Sequence, residues 1–180
     1  MILFLLINNS MFKNYPKRFY IHQSIYFITT NTNNNYPYLK NEKLCQILVE
    51  SIKFNKIIKK FKLFGFVVMY NHFHLLLKPT IKNNISEVMR SIKTNSSREI
   101  NKYLQFSVGR VAPPDLRERT ELLRFNWQPR FYDHVIRDEN DFNNHLNYIY
   151  LNPLKHLNKE DFKNYKYSSC KFWRDLIDNY

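Results

Sequence analysis

An α+β sandwich, with a four-stranded antiparallel sheet and helices on one face, is the fold class this sequence predicts. Three observations carry it. Segments rich in β-branched and aromatic residues alternate with segments whose apolar residues recur at helical spacing. They follow one another in the order β-α-β-β-α-β-α. The chain has 180 residues, 44% hydrophobic and 17% aromatic, enough for one domain to bury a core of that size.

The first strand is read at Tyr20–Thr32, "YIHQSIYFITTNT", and the cluster Asn33–Asn35 with Pro37 ends it. A helix follows from Leu39 to about Lys60, its apolar face formed by Leu44, Ile47, Leu48, Ile52 and Ile57. "FKLFGFVVMY" is a second strand and "HFHLLLKP" a third, joined at Asn71 as a hairpin and closed by Pro79. The second helix runs from Ile85 to Leu104, with Ile85, Val88, Met89, Ile92 and Ile100 inward and Ser86 as its N-cap. Between Gln105 and Arg124 the period fails, and paired prolines and charges mark a loop. "WQPRFYDHVIR", Trp127–Arg137, resumes as a strand, and "DENDFNNHLNYIYLNP" opens on acids and stops at Pro153, as a helix should. This order is the split βαβ plan of a ferredoxin-like sheet with one added C-terminal helix. Residues 13–180 form the single domain; the tail from Lys155 to Tyr180 is basic and aromatic and has no assigned place.

Lys and Arg outnumber Asp and Glu by 28 to 15, a net charge of +13 that points to a polyanionic partner, nucleic acid first. Cys45 and Cys170 make neither a disulfide framework nor a zinc knuckle, which fits a reducing cytoplasm. The apolar run of "MILFLLINNSMF" stops at Ile7, short of the ~20 residues that span a bilayer. It also lacks a basic n-region and a small-residue cleavage site. Residues 1–12 are expected to be a short extension, disordered or upstream of a true start at Met11.

The chemistry centres on "YNHFHLLLKP", Tyr70–Pro79. On a strand, His72 and His74 point one way and Phe73, Leu75 and Leu77 the other. Imidazoles so placed stand about 7 Å apart along the strand and can converge on one cation. The pattern alone is weak: 6 histidines in 180 residues give roughly 0.2 such pairs by chance. Two half-exposed surface histidines are the alternative.

The last helix offers the remaining groups. Tyr148 and Asn152 are four residues apart, hence on one helical face. Asn supplies an oxygen suited to Mg²⁺ or Mn²⁺, and imidazole favours transition metals. The Tyr148 phenol is of the type that attacks a polarised phosphodiester. Tyr150 is rotated about 200° away and should face the core or another surface. An amphipathic helix whose tyrosines merely pack is the alternative here.

"YNHFHLLLKP", followed roughly fifty residues later by "WQPRFYDHVIRDENDFNNHLNYIYLNPLKH", resembles the single-tyrosine HUH transposases, in particular the branch of REP-associated tyrosine transposases. The likeness spans about Tyr20 to Ser169. Its W-Q-x-R-F-x-x-H-x-I-R and Y-I-x-x-N-P segments are far more specific than the histidine pair. The resemblance implies Tyr148 as the catalytic nucleophile, and His72, His74 and Asn152 as ligands of a divalent metal, Mg²⁺ or Mn²⁺. It implies nicking and rejoining of single-stranded DNA through a 5′-phosphotyrosine, at a palindrome presented as a hairpin. A retained phosphodiester needs no nucleotide cofactor, in keeping with only 2 glycines and no Gly-rich phosphate loop.

Arg90, Lys93, Arg98, Arg130 and Arg137 are candidates for DNA backbone contacts, with solvated surface charge as the alternative. Trp127 and Phe131 could stack on unpaired bases or pack in the core. His134 could reach the phosphate or make a structural hydrogen bond, and His145 is the reserve ligand should Asn152 not serve. His22 and His156 belong to no motif. The target is either a mobile element's own ends or dispersed palindromes, and the protein acts as monomer or homodimer. Two other readings stay open: a non-catalytic ferredoxin-like nucleic-acid-binding module, and a hydrolytic metalloenzyme that forms no covalent adduct. The aromatic RNP signature of such binding modules is absent from the sequence.

Overall fold

The computed structural model describes residues 21, 23–111, 124–156, 165–170 and 172–180, with the backbone alone for 106–111. Strand β1, Tyr26–Asn31, alternates Tyr26, Ile28 and Thr30 on one face with Phe27, Thr29 and Asn31 on the other. Helix α1, Glu42–Lys59, starts where the Asn41 side chain accepts the Lys43 and Leu44 N–H groups and stops at left-handed Lys60. Strands β2, Lys62–Val68, and β3, His72–Lys78, form an antiparallel hairpin. Helix α2 is Ile85–Val111, strand β4 is Tyr132–Val135 and helix α3 is Glu139–Leu151. The sheet order β2-β3-β1-β4, antiparallel throughout, is the ferredoxin-like arrangement expected.

Helices α1 and α2 cover the face carrying Ile28, Phe66, Phe73, Leu75 and Leu77, and Leu48, Ile52, Val88, Met89 and Ile92 complete that core. Helix α3 lies across the opposite face, where Phe142 and Ile149 pack on Phe27, Phe64, Val67 and Leu76. β2 bulges between Leu63 and Gly65, and a Cβ on Gly65 would stand 2.9 Å from Leu146 Cδ1. The bare glycine therefore lets α3 settle against the sheet. This close seating holds the Tyr148 helix over the histidines of β3.

Several boundaries differ from the sequence expectation. β1 begins at Tyr26 rather than Tyr20, because Gln23 takes a positive φ of 61° that breaks an extended run. Ile57 is 65% exposed: it lies across the helix from the Leu44–Leu48–Ile52 stripe, and Asn55 takes the inward position. The cap of α2 is Asn84, not Ser86. Asn84 Oδ1 accepts from Glu87 N–H at 3.0 Å and Glu87 Oε2 accepts from Asn84 N–H at 2.8 Å, a reciprocal capping box. α2 also continues past Leu104 to Val111, for the sequence holds no proline between Leu104 and Pro113. The rest of the expected 105–124 loop, like residues 1–12, falls outside the described residues, apart from Arg124.

The strand expected over Trp127–Arg137 is two short pieces. Trp127 bridges Thr32, and Gln128 N–H donates to Asn31 O at 2.9 Å, before pairing resumes at Tyr132. Pro129, which has no N–H to give, sits at the break. There the Lys93 ammonium donates to the carbonyls of Gln128, Pro129 and Arg130 at 2.6, 3.2 and 3.2 Å.

The described part of the tail closes the sheet's β2 edge. Val68 N–H donates to Tyr167 O, Ser169 N–H to Phe66 O, and Phe66 N–H to Ser169 Oγ. Leu63 N–H donates to Asp178 Oδ2 at 2.7 Å, and Lys56 Nζ meets the same oxygen at 2.9 Å. Capping an edge strand in this way removes a template for unwanted pairing. Asp178→Ala leaves the Leu63 N–H without its acceptor and should cost about 1–3 kcal/mol of stability, the half-exposed ion pair adding little. Urea unfolding reads this, and an unchanged midpoint would contradict the role given to Asp178. Among the described residues no helix is long and apolar enough to cross a membrane.

Candidate active site

Strand β3 lifts His72 and His74 onto the face that α3 covers, and the register sets His74 opposite Thr29 of β1. The two rings stand 4.9 Å apart, edge to face. His74 is 3% exposed, and α3 ends above it with Asn152, 1% exposed, whose Nδ2 lies 3.3 Å from His74 Nε2. An amide nitrogen can only donate, so His74 Nε2 carries a lone pair and its Nδ1–H donates to Thr29 Oγ1 at 2.8 Å. His72 Nδ1–H likewise donates to Asn71 Oδ1 at 2.7 Å, which leaves its Nε2 lone pair outward. Thr29 and Asn71 thus fix both tautomers.

Tyr148 stands over this pair. Its ring is 5.2 Å from that of His74 and 5.7 Å from Phe27, both edge-on, and the residue is 38% exposed. The four-residue step from Tyr148 to Asn152 places both beside His74 because α3 stays helical to Leu151 and Asn152 itself keeps φ −55° and ψ −44°. Pro153 follows in a 3-10 turn, Asn152–Lys155. That turn brings up two groups that belonged to no motif. Lys155 Nζ lies 4.2 Å from the Tyr148 ring centre, and the His156 ring 5.8 Å from that of His72. Tyr150 turns away and packs, half-buried, beside the α3 core.

Burial, then the neighbouring His156, pushes His72 down to about 4; burial, then His72, Lys155 and His156, pushes His74 down to about 3. Both rings are therefore neutral near neutral pH, so no proton would compete with a cation for them. The unfolded chain protonates these histidines below about 6.5, while the metal-free fold resists until about 4 and about 3. Their contribution to stability is present above 6.5 and is lost as the pH falls through that window. Chelator-treated protein should lose stability on acidification more steeply than a His72→Gln, His74→Gln variant, as measured by denaturant unfolding across that range. Equal slopes would contradict the buried, neutral pair.

Asn152 Oδ1 is a buried side-chain oxygen that finds no hydrogen-bond partner among the described residues. An unpartnered amide oxygen and two imidazole nitrogens are a donor set that suits a divalent cation, which would replace the present Asn152 Nδ2–His74 Nε2 contact. His72, His74 and Asn152 therefore fit the group that the sequence implied.

The other sequence candidates sit elsewhere. His134 Nε2–H donates to Asp141 Oδ2 at 2.8 Å and His145 Nδ1 lies 2.9 Å from Asp141 Oδ1, in a cluster separated from His74 by the Phe27 ring. Trp127 is 8% exposed, its Nε1–H donates to Ser96 Oγ, and its ring packs edge-on against Phe73 and Phe125 in the core. Arg90, Lys93, Arg130 and Phe131 line one groove of about 520 Å³ between α2 and the Pro129 break. Within it Lys93 already holds three carbonyls. Arg98 pairs with Glu99 at 3.1 Å, and Arg137 is exposed.

A ferredoxin-like sheet with two histidines and a helical tyrosine–asparagine pair on its outer face is the arrangement the sequence led us to expect of a tyrosine transposase. The chain belongs to the IS200-like transposase family, whose pattern matches residues 20–151. It is 36% identical over 118 residues, 64% of this chain, to a putative REP-associated tyrosine transposase of Haemophilus influenzae, and the match spans 61% of that protein. It is 29% identical over 140 residues to the REP-associated tyrosine transposase of Escherichia coli, covering 78% of this chain and 72% of that one. A REP-associated tyrosine transposase solved bound to a REP hairpin superposes with a TM-score of 0.65 at 26% identity, over 91% of this chain and 88% of the other.

Proposed function

We propose that this protein nicks and rejoins single-stranded DNA beside a hairpin, with Tyr148 as nucleophile. The observation that carries the reading is the Tyr148 ring 5.2 Å from His74 while Asn152 reaches the same imidazole. In this reaction the phenol Oη bonds to phosphorus, the bond from phosphorus to the 3′ oxygen breaks, and the phenol proton leaves. The 5′ side stays on the protein as a phosphotyrosine, and the released 3′-hydroxyl can later reverse the exchange. His72, His74 and Asn152 would hold a divalent cation, Mg²⁺ or Mn²⁺, whose chemistry is to polarise the scissile phosphate. Lys155 adds positive charge where the phosphate would approach.

The substrate class rests on the relatives' names and on the net charge of +13. It is a dispersed palindromic repeat folded as a hairpin with an adjacent single strand. Arg90 and Arg130, in one groove, are the candidates for its backbone. The proposed setting is the cytoplasm, where Cys45 and Cys170 would stay reduced. The test is incubation with hairpin-tailed single-stranded DNA and Mn²⁺, followed by denaturing electrophoresis. A denaturation-resistant adduct, lost with chelator, supports the reading. Product release without an adduct would favour a hydrolytic metalloenzyme, and binding without cleavage a recognition module.

A further inference from the structure

Beyond the His72–His74–Asn152 set, a second group of metal-ligand side chains converges at the start of α3. His134 stands on β4, opposite Phe27 in the ladder, and Asp141 and His145 lie one turn apart on α3. One ligand atom from each lies within 4.8 Å of the others, and all three residues are half-buried. The imidazoles stack at 4.6 Å with 19° between planes, and each aims a nitrogen at one carboxylate, at 2.8 and 2.9 Å. The Arg137 N–H already orients Asp141 Oδ2 at 3.0 Å, the kind of outer support that metal carboxylates use.

We propose that His134, Asp141 and His145 form a second transition-metal site, selective for zinc-like ions over Mg²⁺, that ties β4 to the helix bearing Tyr148. Two nitrogens and a carboxylate oxygen are the donor set such ions prefer, with a fourth position left for water. An occupied tetrahedral site brings its ligand atoms to about 3.3 Å, so the triad closes by a modest contraction. Metal entry breaks the two imidazole–carboxylate hydrogen bonds. On His134 the ring proton moves from Nε2 to Nδ1, and on His145 from Nδ1 to Nε2, so each ring turns a lone pair to the metal. His145 also gives up its bond to the Asp141 carbonyl. The hydrogen bond from His134 holds the Asp141 carboxyl below its usual range, so the carboxylate is already ionised. His145 sits one turn before Tyr148 and packs on Phe27 at 4.6 Å, so a filled site would stiffen the catalytic helix.

Zinc titration of the His72→Ala, His74→Ala variant tests this, because that background lacks the first site. Calorimetry should find about one equivalent of Zn²⁺ and a rise in unfolding temperature, with no response to Mg²⁺. Adding His134→Gln and His145→Gln should abolish both, with circular dichroism checking the fold. Should the His72/His74 variant fail to fold, the wild-type protein should bind about two equivalents and Asp141→Asn about one. The proposal is overturned if the His72/His74 background folds and binds no zinc, or if its binding survives loss of His134 and His145. Neither outcome touches DNA cleavage through Tyr148.

Discussion

Tyr148→Phe should abolish the covalent protein–DNA adduct, and Tyr150→Phe should retain it. The two phenols are two residues apart on α3, so a mere tyrosine requirement cannot account for the difference. Tyr148 meets His74 and carries Lys155 over its ring, whereas Tyr150 packs beside the α3 core. Burial also pushes the Tyr150 phenol above its ordinary value, in keeping with a packed side chain. Removing a nucleophile lowers the rate by roughly 10⁴-fold or more. Tyr148 is 38% exposed, so deleting its hydroxyl should change stability by less than about 0.5 kcal/mol. Denaturing gels with end-labelled DNA and thermal unfolding read the two effects separately. An adduct that survives Tyr148→Phe and disappears with Tyr150→Phe would put the helix in the wrong register.

His74→Ala should have the second largest effect, a fall in cleavage on the order of 10³-fold, as losing several kcal/mol of charge stabilisation requires. Hairpin binding, read by fluorescence anisotropy, should stay within a few-fold, since the candidate backbone contacts Arg90 and Arg130 line a separate groove. Excess Mn²⁺ should restore part of the activity, because His72 and Asn152 remain. Thr29→Val gives a smaller loss, about 10–100-fold in metal affinity, by freeing the His74 tautomer that its hydroxyl fixes. Equal losses of binding and cleavage in His74→Ala would instead assign this histidine to DNA recognition.

The site was legible where local periodicity determines geometry. A period of two put His72 and His74 on one face, and a step of four set Tyr148 and Asn152 together. What stayed hidden depends on contacts distant in sequence. Lys155 and His156 reach the site only because Pro153 converts the helix end into a 3-10 turn, which no periodic pattern signals. Thr29 became an orienting group through the register between β1 and β3. The tail's place on the β2 edge follows from single contacts such as Leu63–Asp178, 115 residues apart. Trp127 looked equally able to stack on a base or fill the core, and its bond to Ser96 on α2 places it inside. The break at Pro129 was missed because an aromatic, β-branched run outweighed one proline, and because the carbonyls freed there find the Lys93 ammonium.

The most direct measurement is mass spectrometry of the trapped adduct after proteolysis. The peptide containing both Tyr148 and Tyr150 should carry a nucleotide through its 5′ phosphate, with fragmentation placing the mass on position 148. A nucleotide on any other tyrosine, or cleaved DNA with every tyrosine unmodified, would contradict the proposal that Tyr148 performs the exchange.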